Sequence, residues 1–230
     1  MKYKCIFFDL DHTLWDYEAN SRETLCDLHA HFGLSTRGVQ DVDAFCNTFR
    51  EVNEKLWVLY DNGTIDSEVI RRDRFRLILE AFHAYEEKLS SELSKEYLSC
   101  CPAKCNLIPE ALETLHYLST RYNLTIITNG FEETQNRKLT AGNLHQFFDH
   151  IITSQTAGHR KPAREIFHYA LKQNNVLAEE AVMVGDNLIT DIGGARNAAI
   201  DSVFFNPGKI SHNEAVKYEI TMLGELRQLL

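Results

Sequence analysis

The chain has 230 residues, 44% of them hydrophobic and 25% charged, and a formal net charge of −9. With a mean hydropathy of −0.30, this composition excludes a disordered tail or a chain built for the bilayer, and the length allows one large domain or a core with a smaller insertion. The negative surplus, with no basic stripe to offset it, argues against nucleic acid as a partner, so attraction to an anionic substrate has to be local.

The first element is the strand "KCIFFDLD" at 4–11. Its opening apolar run ends at Asp9 after about four residues, short of the roughly seven that a signal peptide needs. That points to a cytoplasmic protein whose six cysteines, Cys5, Cys26, Cys46, Cys100, Cys101 and Cys105, are reduced. Asp9 and Asp11, two apart on a strand, face one side, and buried carboxylates require a compensating charge or a reason. From about Trp15 to Cys105 only helical periodicity follows, in "SRETLCDLHAHF", "VDAFCNTFREVNEKLWVLY", "SEVIRRDRFRLILEAFHAYEEKL" and "SSELSKEYL". So much helix is too long for a crossover, and reads as a helical subdomain at 15–105 inserted above the carboxyl end of the first strand, where open α/β sheets bind ligands. A lid there has to open and close, with hinges near 15–20 and 101–107. The "CCPAKC" cluster at its end matches no familiar zinc spacing and reads as thiols near a domain junction.

The core, 1–14 and 106–230, resumes with the helix "PEALETLHYLSTRY", which places Pro109 in the favoured first turn. The strands "LTIITNG", "HIITSQ", "AVMVGDN" and "DSVFFNP" then alternate with the helices "EETQNRKLTAG", "PAREIFHYALKQNN" and "TDIGGARNAAI". Apolar on both faces, these strands predict a doubly wound, Rossmann-like parallel α/β sheet of about five core strands. Each ends in polar residues: Thr128 and Asn129, then Ser154 with Lys161 further on, then Asp186 and Asn187, with Asp191 opening the next helix. Carboxyl ends of parallel strands share a rim, so Asp9, Asp11, Thr128, Lys161, Asp186 and Asp191 are expected to meet. Four gathered carboxylates repel, and a divalent cation with hard oxygen ligands, Mg2+, relieves that repulsion.

"DLDHT" at 9–13, "ITNG" at 127–130, "HRKP" at 159–162 and "GDNLITD" at 185–191 resemble the four ordered motifs of the haloacid dehalogenase-like hydrolase superfamily. The insertion resembles its C1-type cap, and His12 stands where many members have glycine, which bears on the turn geometry. The resemblance implies a phosphomonoesterase. Asp9 would be the nucleophile that forms an aspartyl-phosphate, and Asp11 the acid and base, with a raised pKa expected beside another carboxylate. Mg2+ would be held by the Asp9 carboxylate, the Asp11 backbone carbonyl and Asp186, with Asp191 in support. Lys161 would anchor Asp9 and, with Thr128 and the backbone amides near Asn129 and Gly130, bind the transferring phosphoryl oxygens. Thr13 would shape the turn.

"DLDHTLWDYEANSRETL" and "NGTIDSEVIRRDRFR" resemble the YjjG-like pyrimidine 5′-nucleotidase branch, which implies a nucleoside monophosphate as the small phosphorylated partner of a monomer or small homo-oligomer. Sugar-phosphate or phosphoglycolate phosphatases and phosphomutases share the chemistry. A 2-haloacid dehalogenase would leave Asp11, Asp186 and Asp191 without a purpose, and a non-catalytic relative would be expected to have lost one of them. Trp15, Tyr17, Trp57 and Tyr60 are candidates to stack on a base, against ordinary packing. "RRDRFR" is a candidate anion contact, against a solvated face laced with salt bridges.

Overall fold

The computed structural model describes residues 2–230, which form two compact units: the chain up to Tyr17 together with Cys105–Leu230, and Glu18–Lys104. The second is helical, with α1 (Tyr17–His31), α2 (Val42–Asp61), α3 (Ser67–Ala81) and α4 (Glu87–Cys100). Asp41 caps α2 by accepting from Asp43 and Ala44 N–H, and Asp66 caps α3 by accepting from Val69 N–H, each worth about 1 kcal/mol. The helix expected to run from Ser67 to Leu89 is instead two. α3 stops at Ala81, where Ala84 N–H closes on the Leu79 carbonyl at 2.9 Å and His83 turns left-handed at φ 54°. A glycine would have announced this stop; histidine does not. The rings of Phe49, Phe75 and Tyr97 meet in the interior, with centroids 4.8–5.7 Å apart.

The first unit is built on a parallel sheet of β1 (Cys5–Phe8), β2 (Asn123–Thr128), β3 (His150–Thr153), β4 (Ala181–Gly185), β5 (Asp201–Phe205) and β6 (Tyr218–Ile220), ordered β3-β2-β1-β4-β5-β6. The doubly wound α/β expectation holds, with a sixth strand beyond the five anticipated. β6 has three residues, too few for periodicity to register. Around the sheet run α5 (Ala111–Ser119), α6 (Glu132–Ala141), α7 (Ser154–Ala157), α8 (Arg164–Asn174), α9 (Gly194–Asn197) and α10 (Leu226–Leu229). Pro109 lies in a turn before α5, outside its first helical turn, because Glu110 takes φ 64° ahead of Ala111. Cys5, Phe7, Ile127, Ala181 and Met183 pack one sheet face against Ile166, Phe167, Ala170 and Ala195 of α8 and α9. Burying each larger apolar side chain there contributes about 1.5–3 kcal/mol, which holds the strand ends in register.

None of the six cysteines is in a disulfide among the described residues. Among the described residues no helix is long and apolar enough to cross a membrane.

Candidate active site

β1 ends at Phe8, but Asp9 N–H still donates to the Val184 carbonyl at 2.9 Å, so Asp9 leaves the sheet in strand geometry. The chain then turns tightly: Leu14 and Trp15 N–H both close on the Leu10 carbonyl, and His12 takes φ 64°. A left-handed position in this turn explains why glycine suits it, and a histidine holds it at some strain.

Carboxylate oxygens of Asp9, Asp186 and Asp191 lie within 4.8 Å of one another. Lys161 Nζ, almost fully buried, reaches Asp9 Oδ1 at 2.5 Å and Asp191 Oδ1 at 2.6 Å. Thr13 Oγ1 donates to Asp186 Oδ1 at 2.9 Å, and Asn187 N–H to Asp191 Oδ2 at 3.0 Å. Three carboxylates against one ammonium leave a negative excess. Burial, then the neighbouring Asp191, pushes Asp186 up to about 7. Asp9 is raised well above the carboxylate range by burial, reinforced by Asp191 and Asp186 and only partly offset by Lys161. Burial alone would lower Lys161, but its two carboxylates raise it. An all-oxygen donor set with uncompensated negative charge fits a hard divalent cation.

Asp191 does not open a helix as its position suggested. Asn187 is the cap, accepting from Ile189 and Thr190 N–H, and Asp191 sits four residues on within a π-helical turn, Leu188–Gly193. Such wide turns recur at functional sites. Here it brings the Asp191 carboxylate back against Gly185, where an added Cβ would collide with it.

The Asp11 carboxylate has partners of its own on α6. Lys138 Nζ on α6 donates to Asp11 Oδ1 and Oδ2 at 2.6 and 2.8 Å, and Gln135 Nε2 donates to Asp11 Oδ2 at 2.9 Å and to Thr128 Oγ1 at 3.0 Å. The raised pKa expected of Asp11 is therefore corrected. Burial pushes it up, but Lys138 and Gln135 together hold it below the ordinary carboxylate value. Periodicity missed Lys138 and Gln135, reading α6 as an ordinary crossover helix; their signal was two polar groups on one face of α6, buried to 5% and 1% exposure.

Thr128 Oγ1 also accepts from Gly130 N–H at 3.0 Å, so the proton it carries is the one it can offer an incoming oxygen. The Asn129 side-chain amide pairs with both backbone groups of Lys161, at 2.8 and 2.9 Å, bonds that do not involve the backbone amide expected to meet substrate. Of the stacking candidates, Trp15 and Tyr60 are packed inside, with 0% and 4% exposure, while Tyr17 and Trp57 stay partly accessible. In "RRDRFR", Arg72 and Arg76 pair with Asp73 and Arg76 also with Glu80, whereas Arg74 is buried.

A family model described as haloacid dehalogenase-like hydrolase matches residues 6–205. The chain is similar to the pyrimidine 5′-nucleotidase YjjG of Escherichia coli, 30% identical over 236 aligned residues that cover 100% of this chain and 99% of the relative. It is also similar to a glyceraldehyde 3-phosphate phosphatase of Pyrococcus abyssi, 41% identical over 207 residues, 90% of this chain and 82% of that one. Among solved structures, YfnB of Bacillus subtilis, crystallised bound to magnesium, superposes with a TM-score of 0.89 at 26% identity, covering 100% of this chain and 99% of the other. With the strand-end carboxylates and lysine in place and the match running through the sheet to residue 205, the chain is an enzyme and belongs to the haloacid dehalogenase-like hydrolases.

Proposed function

We propose that this enzyme is a Mg2+-dependent phosphomonoesterase that works through a phosphorylated Asp9 and takes nucleoside 5′-monophosphates, pyrimidine ones foremost. The observation that carries the reading is Asp9 itself: a buried carboxylate held by Lys161 inside an acidic triad, with a second carboxylate, Asp11, held apart by different partners. Asp9 attacks phosphorus and the alcohol oxygen departs. Asp11, once protonated, gives that oxygen its proton, then takes one from the water that cleaves the acyl phosphate. The charged Asp11 that Lys138 favours is the form ready for this second step. Lys161 sets the direction of the nucleophile, while the Thr128 hydroxyl, held by the Gly130 N–H, and the Asn129 backbone amide meet the phosphoryl oxygens. The Asp9 and Asp186 carboxylates and the Asp11 carbonyl, with Asp191 beside them, would hold Mg2+, which would supply the positive charge that lets an anionic nucleophile approach an anionic phosphate. The helical unit is assigned the role of cap, selecting the leaving group.

The nucleotide assignment is supported by the full-length similarity to YjjG; the higher identity to a glyceraldehyde 3-phosphate phosphatase favours triose phosphate as the second reading. Phosphate release from a panel of nucleoside monophosphates, triose and sugar phosphates and phosphoglycolate, with Mg2+ or EDTA, separates the two. Metal-dependent release led by UMP, dUMP or dTMP supports the first. A lead for glyceraldehyde 3-phosphate keeps the chemistry and overturns the substrate, and release unaffected by EDTA overturns the metal.

A further inference from the structure

Lys161, the lysine of the site's motifs, pairs with Asp9 and Asp191, whereas Asp11 is paired with a lysine of its own, Lys138. We propose that Lys138, acting with Gln135, is the positioning residue for the proton transfers of Asp11, fixing that carboxylate on the Thr128 side of the site. The inference rests on the reading above, in which Asp11 gives and takes the proton.

Lys138 is 5% exposed and Gln135 1% exposed. A buried ammonium costs several kcal/mol unless it is well paired, and Lys138 is paired with both oxygens of one carboxylate, at 2.6 and 2.8 Å. It lies 4.6 Å from the centre of the Trp15 ring and 5.6 Å from that of Tyr17, two aromatic faces that favour a cation in place and close off other directions. The chelate thereby fixes the rotation of the Asp11 carboxylate as well as its charge.

Gln135 stands three residues earlier on α6, on the same face. Its Nε2 donates one hydrogen to Asp11 Oδ2 and the other to Thr128 Oγ1, which spends both. Its Oε1 is buried with no hydrogen-bond partner among the described residues. An orphaned acceptor is a cost, and the structure bears it where a flipped amide would put that oxygen against the Asp11 carboxylate. Gly130 leaves the room, since a Cβ there would run into the Gln135 amide. Gln135 thus ties the acid/base to the hydroxyl assigned to the phosphoryl group, and Lys138 holds the same carboxylate from α6. That is the geometry a proton donor needs as the P–O bond to the alcohol breaks and the bond from Asp9 to phosphorus forms, and again as water loses a proton to Asp11 while its oxygen displaces Asp9.

The test uses the Mg2+-loaded enzyme and two esters, a nucleoside monophosphate with a poor leaving group and p-nitrophenyl phosphate with a good one. K138M and Q135L are compared with K138R, D11N and the double variant D11N/K138M. A positioning role predicts about a hundredfold loss of kcat in K138M on the nucleotide, of the order set by general acid–base catalysis, with KM nearly unchanged. The initial burst of p-nitrophenol is retained, because that leaving group needs no proton; K138R recovers part of the loss, Q135L shows a smaller loss of the same kind, and D11N/K138M is no slower than D11N. Losses that multiply in the double variant, a burst lost together with turnover, or wild-type kcat in both K138M and Q135L while D11N is inactive would overturn the positioning role alone. A fully active D11N would overturn the acid/base reading itself. If K138M does not fold, Q135L and K138R carry the same comparison.

Discussion

Each unit of the molecule buries charge, in opposite ways. At the sheet rim three carboxylates share one lysine and remain in negative excess. In the helical unit Arg74, 4% exposed, has no carboxylate partner among the described residues: its guanidinium lies 4.5 Å from the Tyr97 ring centre and 5.2 Å from that of Phe49, with a hydrogen bond to Asn53 Oδ1 at 3.0 Å and with Nε and Nη2 lacking partners among those residues. The first arrangement is unstable without something from outside and is suited to chemistry; the second is closed on itself and is suited to packing. Stability and function are therefore expected to respond differently when each is disturbed.

The largest effect is at the rim. Asp9→Asn should lower phosphate release at least about a thousandfold, as removal of a nucleophile does, while the melting temperature of the metal-free protein holds or rises, because one of three crowded charges has gone. A fall in both would place Asp9 among the stabilising residues and erase the contrast. Next comes the cation itself. Asp186 is shifted from 3.8 to about 7, so between those values the folded chain keeps a proton that the unfolded chain has released. Stability of the metal-free protein from this group therefore falls as pH rises through that window, the sign fixed by proton linkage. Mg2+ competes with that proton and should raise the melting temperature more at pH 8 than at pH 6, and thermal scans with Mg2+ or EDTA at the two values check it. In the helical unit, Arg74→Ala should cost about 2–4 kcal/mol through the space it empties, whereas Arg74→Met should be close to neutral, since a hydrophobe replaces a charge that lacks a counter-ion. Denaturant midpoints decide, and an equally damaging Met variant would show that the charge itself matters. The smallest expected change, about 1 kcal/mol, is Asn187→Ala, which removes the cap of the π-helical turn.

The rim was legible because a strand offers little choice: alternation and a shared end bring Asp9, Lys161, Asp186 and Asp191 together once the strands are recognised. Asp11 was legible too, but its partners escaped, because it lies beyond β1, where the chain has already turned, and they come from a helix face. Helical periodicity marks which side of a helix is apolar, but not which long polar residue folds inward, so it singles out neither Lys138 nor Gln135 and leaves Arg74 within a segment that reads as an anion contact or a solvated face. The break at His83 and the short β6 were hidden for simpler reasons, an unexpected residue at a left-handed position and a strand of three residues.

Asn129 carries a further consequence. Its side chain gives a hydrogen to the Lys161 carbonyl and takes one from the Lys161 N–H, as a neighbouring strand would. This makes the position a splice between two loops far apart in the chain, and it demands one donor and one acceptor on the same short planar group. Aspartate has the shape but would set two oxygens face to face, and serine would not reach both. What reads in the sequence as a polar residue beside a phosphate site is thus a joint that keeps the lysine's backbone at a set distance from the strand carrying Thr128, and variation should tolerate little but asparagine there.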